Sequence, residues 1–99
     1  LRLYSGATEI NSFNLDLLDL GDASVTIDFS KVEESNSYSL VCAFYKDNRL
    51  AFTKVCEKDG DSDIYDISVN ENFEYDSVRL FLFNSINACK PLCSATIID

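Results

Sequence analysis

The stretch "SYSLVCAFYKDNRLAFTKVCE", residues 37–57, decides how this chain is expected to fold. Bulky residues recur at every second position before its turn, which predicts a β-strand rather than a helix. Both faces of that strand are largely apolar, so we expect it to lie in the centre of a sheet. Asp47 and Asn48 tolerate left-handed backbone angles, which predicts a tight hairpin turn between this strand and the next.

The hairpin carries two of the four cysteines, Cys42 and Cys56. Pairing counted outward from the turn places Cys42 opposite Thr53, so we do not expect a disulfide across the hairpin. A disulfide between Cys56 and either Cys89 or Cys93 stays open on spacing alone. The alternative is that these thiols are free and fill the core as small apolar groups.

A metal or redox role for the cysteines is disfavoured by their spacing. Zinc sites usually show two close pairs of ligands, and here only Cys89 and Cys93 lie close together. The chain has no His to complete a ligand set or to act as an imidazole base. A thioredoxin-type pair is separated by two residues at a helix start, whereas Cys89 and Cys93 are separated by three.

Four other stretches alternate in the same way on either side of the hairpin. Short alternating strands with frequent turns predict an all-β fold, an antiparallel β-sandwich of immunoglobulin or fibronectin-III-like type with about seven strands. Residues 1–99 form one domain in this interpretation. Phe73 or Tyr75 is expected to plug the sandwich edge. The four stretches are "ASVTIDFSK" (23–31), "IYDISVN" (64–70), "SVRLFLF" (77–83) and "CSATIID" (93–99).

Residues 1–21 are the least determined part of the chain. The segment "EINSFNLDLLDLG", residues 9–21, fits a strand. It also fits a helix that has Gly21 as its C-terminal cap and an apolar side made of Ile10, Phe13, Leu17 and Leu20. We favour the strand because the rest of the chain has the period of β-structure.

The charge distribution excludes some classes of partner. The net charge is −9, and acids are spread over both halves of the chain. A negative surface without a basic patch is a poor partner for nucleic acid or anionic membrane. The apolar runs are too short for membrane insertion. The chain begins with Leu and shows no signal peptide, so we expect a segment of a longer protein.

An acidic stretch, "DGDSDIYD" (59–66), resembles the opening of a calcium loop. Asp59, Asp61 and Asp63 would supply hard oxygens at alternate positions, as calcium ligands do. The later positions of the pattern fail, because Ile64 stands in place of the required Gly and Asn70 in place of Glu. A weak calcium site and a solvated acidic connector both remain open; no other cofactor is expected.

Catalysis is not expected, and sugar binding is an open alternative. Pairs of carboxylates are unavoidable among 17 acids. Glycoside hydrolysis needs a deep cleft, for which a sandwich of this size has little room. Exposed tyrosines stack on sugars in some binding modules, while the competing interpretation places these rings in the core or at its rim. The candidates for glycan binding are Tyr38, Tyr45, Tyr65 and Tyr75.

From about residue 23 onward the chain resembles a recurring β-sandwich module of secreted multimodular proteins from Firmicutes. Three segments carry the resemblance: "SYSLVCAFYKDNRLAFTKV", "DSVRLFLFNS" and "NACKPLCSATIID". The second is similar to the family's "VKVFLWDS", and the third to its "KPL" corner before a final strand. Phe83 and Asn84 depart from the Trp and Asp usual in that family, and the turn lacks its usual glycine.

The resemblance implies a non-catalytic accessory module, a spacer or interaction unit, at a secreted or cell-surface location. Its partners would be neighbouring domains of the same chain, a polysaccharide or a cell-surface protein. The alternatives are a carbohydrate-binding module and a calcium-stabilised adhesion repeat. In the "KPL" corner, Pro91 would fix the entry into the last strand and Leu92 would anchor the corner in the core.

Overall fold

The computed structural model describes residues 1–35, 37–58 and 63–99, and the described residues form eight strands in two antiparallel sheets. The first sheet has the order β2-β1-β3-β6, and the second has the order β5-β4-β7-β8. The strands are β1 (Arg2–Ser5), β2 (Thr8–Ile10), β3 (Ala23–Thr26), β4 (Tyr38–Lys46), β5 (Arg49–Lys58), β6 (Ile64–Asp66), β7 (Ser77–Phe83) and β8 (Thr96–Ile98). The predicted all-β architecture of two antiparallel layers is confirmed.

The core lies between the two sheets and is built from alternate residues of each strand. β7 shows the pattern most clearly, because Val78, Leu80 and Leu82 are buried while the residues between them are only half-buried. β4 places Leu40, Cys42 and Phe44 on the same inner side, and β4 is central in its sheet as predicted. The first sheet contributes Leu3, Val25, Ile27, Tyr65 and Ile67.

The predicted hairpin turn is present, but its register differs from the prediction by one residue. Asp47 and Asn48 both have positive φ, 51° and 63°, the conformation of a type I′ turn. Tyr45 pairs with Leu50, whereas Phe44 pairs with Phe52, so Ala51 is an extra residue that forms a β-bulge. Cys42 therefore lies opposite Lys54, and the predicted pairing of Cys42 with Thr53 was wrong.

The segment 9–21 is neither the predicted strand nor the alternative helix. Only its first two residues belong to β2, and short 3₁₀ turns follow at Leu15–Leu17 and Leu20–Asp22. Side chains compete for the backbone here: the Asn11 N–H donates to Asn14 Oδ1, and the Phe13 N–H donates to Asn11 Oδ1. Phe13 is 97% exposed, so it does not lie on the buried side of any element.

Gly6 forms the turn between β1 and β2 and fixes this hairpin to the segment before β3. Its φ is +57°, and its N–H donates to the Asp22 carbonyl oxygen over 2.9 Å. A Cβ at this position would lie 2.9 Å from Asp22 Oδ2. The left-handed backbone is the reason for glycine at this position, and a Cβ would in addition displace the Asp22 carboxylate.

The corner between β7 and β8 follows the path that the sequence predicts. Pro91 lies in an isolated bridge with Phe83, beyond the end of the β7–β8 ladder. Leu92 is 5% exposed and donates its N–H to the Leu82 carbonyl oxygen. Asn84 Oδ1 accepts from the N–H of Lys90, which closes the loop. The predicted role of Leu92 as the anchor of the corner is confirmed.

An aromatic cluster closes one side of the core, as the sequence predicts for Phe73 or Tyr75. The Phe73 ring stacks on Phe52 with centroids 4.9 Å apart and meets Phe44 edge-on at 5.2 Å. Tyr75 also meets Phe44 edge-on, at 5.4 Å. Both residues of the 70–76 link therefore pack against the core rather than only one.

Candidate functional site

The outward side of the second sheet, which we call the outer face, is the surface with the most distinctive composition. Burial shows which residues of β4 and β7 face the core. The residues between them point away from it, because side chains alternate along a strand. The register then sorts the outward residues into rows that cross β7, β4 and β5. These rows are Ser77–Tyr45–Leu50, Arg79–Ala43–Thr53, Phe81–Val41–Val55 and Phe83–Ser39–Glu57, and Ile97 of β8 continues the second row.

The outer face is more apolar than an exposed sheet surface needs to be. Val41, Ala43 and Phe81 hold its middle, where a sheet with one solvated face usually carries polar side chains. At its margins, Val55 is 43% exposed and Ile97 is 55% exposed. A contiguous apolar surface of this kind on a small protein marks an interaction site more often than it serves folding.

Two parallel phenylalanine rings form the aromatic part of the face. Phe81 and Phe83 are separated by one residue of β7, so their side chains leave the strand in the same direction. Their ring centroids are 5.9 Å apart and their planes differ by 7°. The pair presents a flat aromatic surface with little conformational freedom to lose on binding.

A groove adjoins the phenylalanine pair. The chain between the Pro91 bridge and β8 leaves the sheet and returns at Thr96. The resulting groove has a volume of about 660 Å³, and its mouth carries Glu33, which forms an ion pair with Lys90 at 3.1 Å. Its other lining residues are mostly apolar: Phe81, Leu82, Phe83, Pro91, Leu92, Cys93, Ser94 and Ala95.

Arg79 is the only cation among the described side chains of the outer face, and it lies over the Tyr45 ring. The guanidinium carbon lies 4.4 Å from the centroid of the Tyr45 ring, a cation–π geometry. The buried Nε of Arg79 has no hydrogen-bond partner among the described residues. Nε is inaccessible, so an incoming acceptor would meet the terminal nitrogens of the half-buried guanidinium, in apolar surroundings where charge-assisted bonds are strong.

Within the described residues, the four strands that form the outer face carry almost no negative charge. Although the chain has 17 acids, the strands of the second sheet contain a single one, Glu57. Glu57 lies at the margin of the outer face, opposite Ser39. The outer face is thus close to neutral on a chain whose net charge is −9.

The four candidate tyrosines do not come together as one platform. Tyr38 and Tyr45 lie at opposite ends of β4, seven residues apart, and alternation gives them opposite sides of the sheet. The Tyr38 ring meets Phe29 edge-on at 5.1 Å. Tyr75 belongs to the aromatic cluster around Phe44, and burial raises the pKa of its hydroxyl.

Tyr65 corrects the prediction of a surface ring. It is the largest of the fully buried side chains, with 0% exposure, and it lies in the core between Val25 and the second sheet. Burial raises the pKa of its hydroxyl. Alternation alone had placed Tyr65, Ile67 and Val69 on one side of their segment; because that side faces the core, the ring is inaccessible to a glycan.

The calcium hypothesis falls mainly outside the described residues. Asp59 and Asp61 belong to the undescribed segment 59–62. Asp63 is exposed, and its backbone carbonyl oxygen accepts from the Ile27 N–H over 2.8 Å. Within residues 1–35, 37–58 and 63–99, no group of three or more acids, cysteines or histidines has the spacing of a metal site. The acidic stretch remains a prediction.

No disulfide links the four cysteines, all of which lie in the described part of the chain. Cys42 is fully buried, and desolvation strongly raises the pKa of its thiol. Cys93 is half-buried, and burial raises its pKa as well. Cys89 is exposed and donates its S–H to the Ile86 carbonyl oxygen. These surroundings make Cys42 and Cys93 apolar packing groups rather than nucleophiles.

Comparison with known proteins adds no identity: no family model, curated protein or solved structure matches the chain significantly. The described part of the chain contains no helix with the length and apolar character that a membrane crossing requires. The family resemblance and the location stay predictions.

Apart from Tyr45, which was a candidate for glycan binding, the residues of the outer face were missed by sequence reasoning. The signal was present, because β4 is apolar on both sides and β7 carries Phe81 and Phe83 opposite its core residues. Two-sided apolar strands are ordinarily explained by burial between layers. Only the arrangement of the two sheets shows that, within residues 1–35, 37–58 and 63–99, no further sheet packs on the outer side of β4 and β7.

Proposed function

We propose that this chain is a non-catalytic interaction module that binds a protein through the outer face of its second sheet. The observation that carries the proposal is the combination of an apolar, nearly neutral face with a strongly acidic remainder. Protein interfaces are depleted of charge at their centre and enriched in aromatic residues and Arg. Phe81, Phe83, Tyr45 and Arg79 fit that composition.

The groove beside Phe81 and Phe83 supports the same function. Binding energy at protein interfaces concentrates where a side chain of the partner enters an apolar pocket. The volume of about 660 Å³ is sufficient for a large apolar side chain, and the pocket is continuous with the outer face because it shares both phenylalanines.

The finer fold assignment that we propose is an immunoglobulin or fibronectin-III-like sandwich. The order β1-β3-β6 fits strands A-B-E of that class, and β5-β4-β7-β8 fits C′-C-F-G. Modules of this type serve as spacers and docking units in multimodular proteins. We therefore propose that the chain works within a larger secreted or cell-surface protein, with a neighbouring module or a cell-surface protein as its partner.

The test is photo-cross-linking from the face itself. Benzoylphenylalanine in place of Val55 is expected to give discrete protein adducts in cell-envelope extracts of the source organism. Ser24, on β3 of the other sheet, is the matched control position and is expected to give none. The adduct is then identified by mass spectrometry and its binding is repeated with the purified protein. Adducts of equal yield from both positions, or none from position 55, would contradict the proposal.

Glycan binding is the second candidate, supported by the parallel rings of Phe81 and Phe83 rather than by the tyrosines. The face offers few hydrogen-bonding groups for sugar hydroxyls, which favours a protein partner instead. We expect no retardation of the chain in gels that contain plant or cell-wall polysaccharides. Retardation that Phe81→Ala abolishes would replace the protein partner with a glycan.

A further inference from the structure

Arg79 and Glu57 are arranged on the outer face in a way that makes the face complementary to itself. Arg79 lies on β7, in the row next to that of Val41. Glu57 lies on β5, the neighbouring strand on the other side of β4, in the row next to that of Val41 in the opposite direction. Val41 is therefore midway between the one cation and the one anion that the described side chains place on the face.

We propose that the outer face binds a second copy of this chain across a two-fold axis that passes through Val41. This inference rests on the proposed function, because it names the occupant of the same face. A two-fold interface uses the same patch on both copies, so each contact occurs twice. Such an axis lies in the plane between the two faces, over Val41 and at right angles to the line from Arg79 to Glu57. It brings Arg79 of each copy over Glu57 of the other, and Val41 of the two copies into contact.

The free donor capacity of Arg79 supports this occupant. Its guanidinium lies over the Tyr45 ring, and no described carboxylate forms an ion pair with it. Its Nε is buried, so the terminal nitrogens of this half-buried side chain are the donors that a partner can reach. A carboxylate placed there completes a charge-assisted pair in apolar surroundings. The second copy supplies that carboxylate with Glu57.

The charge distribution points to the same face. Two copies that each carry −9 repel one another over most of their surfaces. The outer face is the place where they approach with little repulsion, because its one positive and one negative charge cancel. Apolar contacts from Val55, Phe81 and Ile97 then contribute on both sides of the axis.

Sedimentation equilibrium on the purified chain tests the inference. The mass of the wild-type species is expected to rise from one chain to two between about 1 µM and 1 mM. Arg79→Glu and Glu57→Arg are each expected to raise the dissociation constant at least ~30-fold, because each leaves two like charges facing one another. The double variant is expected to return within about fivefold of the wild type.

Lys31→Glu is the matched control, since it changes the net charge as Arg79→Glu does but lies in an exposed turn outside the outer face. It is expected to leave the dissociation constant within about threefold of the wild type. Circular dichroism establishes that each variant is folded. If Arg79→Glu does not fold, the exposed Glu57→Arg carries the same test.

A wild-type chain with the mass of one copy at every concentration would overturn the second copy as occupant. The axis through Val41 would be overturned if each single variant, Arg79→Glu and Glu57→Arg, still dimerised like the wild type. It would also be overturned if the double variant failed to restore the dimer. The proposed function fails separately from the dimer. If the chain is monomeric but still cross-links to another protein from position 55, only the dimer is refuted. If the chain is monomeric and gives no such adducts, both the dimer and the proposed function are refuted.

Discussion

Gly6 shows how a single backbone conformation holds the N-terminal hairpin in place. Its φ of +57° and its hydrogen bond to the Asp22 carbonyl connect β1 and β2 to the start of β3. An alanine there would adopt a left-handed conformation that costs about 1–2 kcal/mol, and its Cβ would approach Asp22 Oδ2 to 2.9 Å.

We therefore expect Gly6→Ala to lower the free energy of unfolding by at least about 1 kcal/mol. Urea denaturation measures the change. Gly21→Ala is the control, because Gly21 has no positive φ and its nearest neighbour is a side-chain oxygen of Asp19 at 3.3 Å. A loss for Gly6→Ala no larger than that for Gly21→Ala would argue against the strain at this turn.

The buried thiol of Cys42 predicts a pH dependence of stability. Its pKa is raised from an ordinary value of 9.0 by desolvation in the core. The thiol stays protonated in the folded state while the unfolded chain ionises, so stability is fully present below pH 9 and falls as the pH rises above it. The slope for one thiol is roughly 1 kcal/mol per pH unit.

Cys42→Ala is expected to remove this contribution. Urea denaturation at pH 8 and pH 10 should show a smaller loss of unfolding free energy for the variant than for the wild type. Tyr65 and Cys93 titrate in both proteins, so the difference between the two belongs to Cys42. Equal losses would mean that the thiol is not protected from ionisation in the folded state.

At the scale of the elements, the β4–β5 hairpin carries one residue more than its ladder requires. Ala51 is the extra residue, and the pairs on either side of it are regular. Deletion of Ala51 leaves every other residue of β5 opposite its present partner. Deletion of Thr53 instead forces Phe52 off the core side, since neighbouring residues point to opposite faces.

We expect the Ala51 deletion to change the free energy of unfolding by less than about 1 kcal/mol, and the Thr53 deletion to cost at least about 3 kcal/mol. Thermal and urea denaturation of both deletion variants measure the contrast. A severe loss on deletion of Ala51 would show that the bulge itself stabilises the hairpin, against the pairing described here.

The elements that were predicted correctly share a strong period of two. β4, β7 and the turn at Asp47 and Asn48 were recoverable because alternation and turn chemistry agree with the tertiary structure. The bulge was not recoverable, because nothing in the residues around Ala51 distinguishes an extra residue from a regular one. The prediction for segment 9–21 failed because the side chains of Asn14 and Asn11 accept from the N–H groups of Asn11 and Phe13, which overrides the apolar pattern.

The candidate site could be predicted less well than the fold. Sequence reasoning turned to tyrosines and acids, which are the residue types that most often carry chemistry. Whether such a residue can bind a ligand depends on its exposure. Its exposure in turn depends on which side of its strand packs against the other sheet. Tyr65 and Phe81 illustrate the problem: both alternate with polar or bulky neighbours, yet one is in the core and the other is on the surface side.

At the scale of the whole molecule, the proposed binding function requires that the outer face is not needed for folding. The two valines Val55 and Val78 test this directly, since both lie in the second sheet but on opposite sides of it. Val55 is 43% exposed on the outer face, whereas Val78 is 0% exposed in the core. A charge at Val78 would be buried without a partner.

The decisive measurement is urea denaturation of Val55→Asp and Val78→Asp at low micromolar concentration, where self-association contributes little. We predict that Val55→Asp keeps the free energy of unfolding within about 1 kcal/mol of the wild type, and that Val78→Asp loses at least about 4 kcal/mol or fails to fold. Equal losses for the two variants, or a Val55→Asp chain that does not fold, would show that the outer face belongs to the core and would contradict the account.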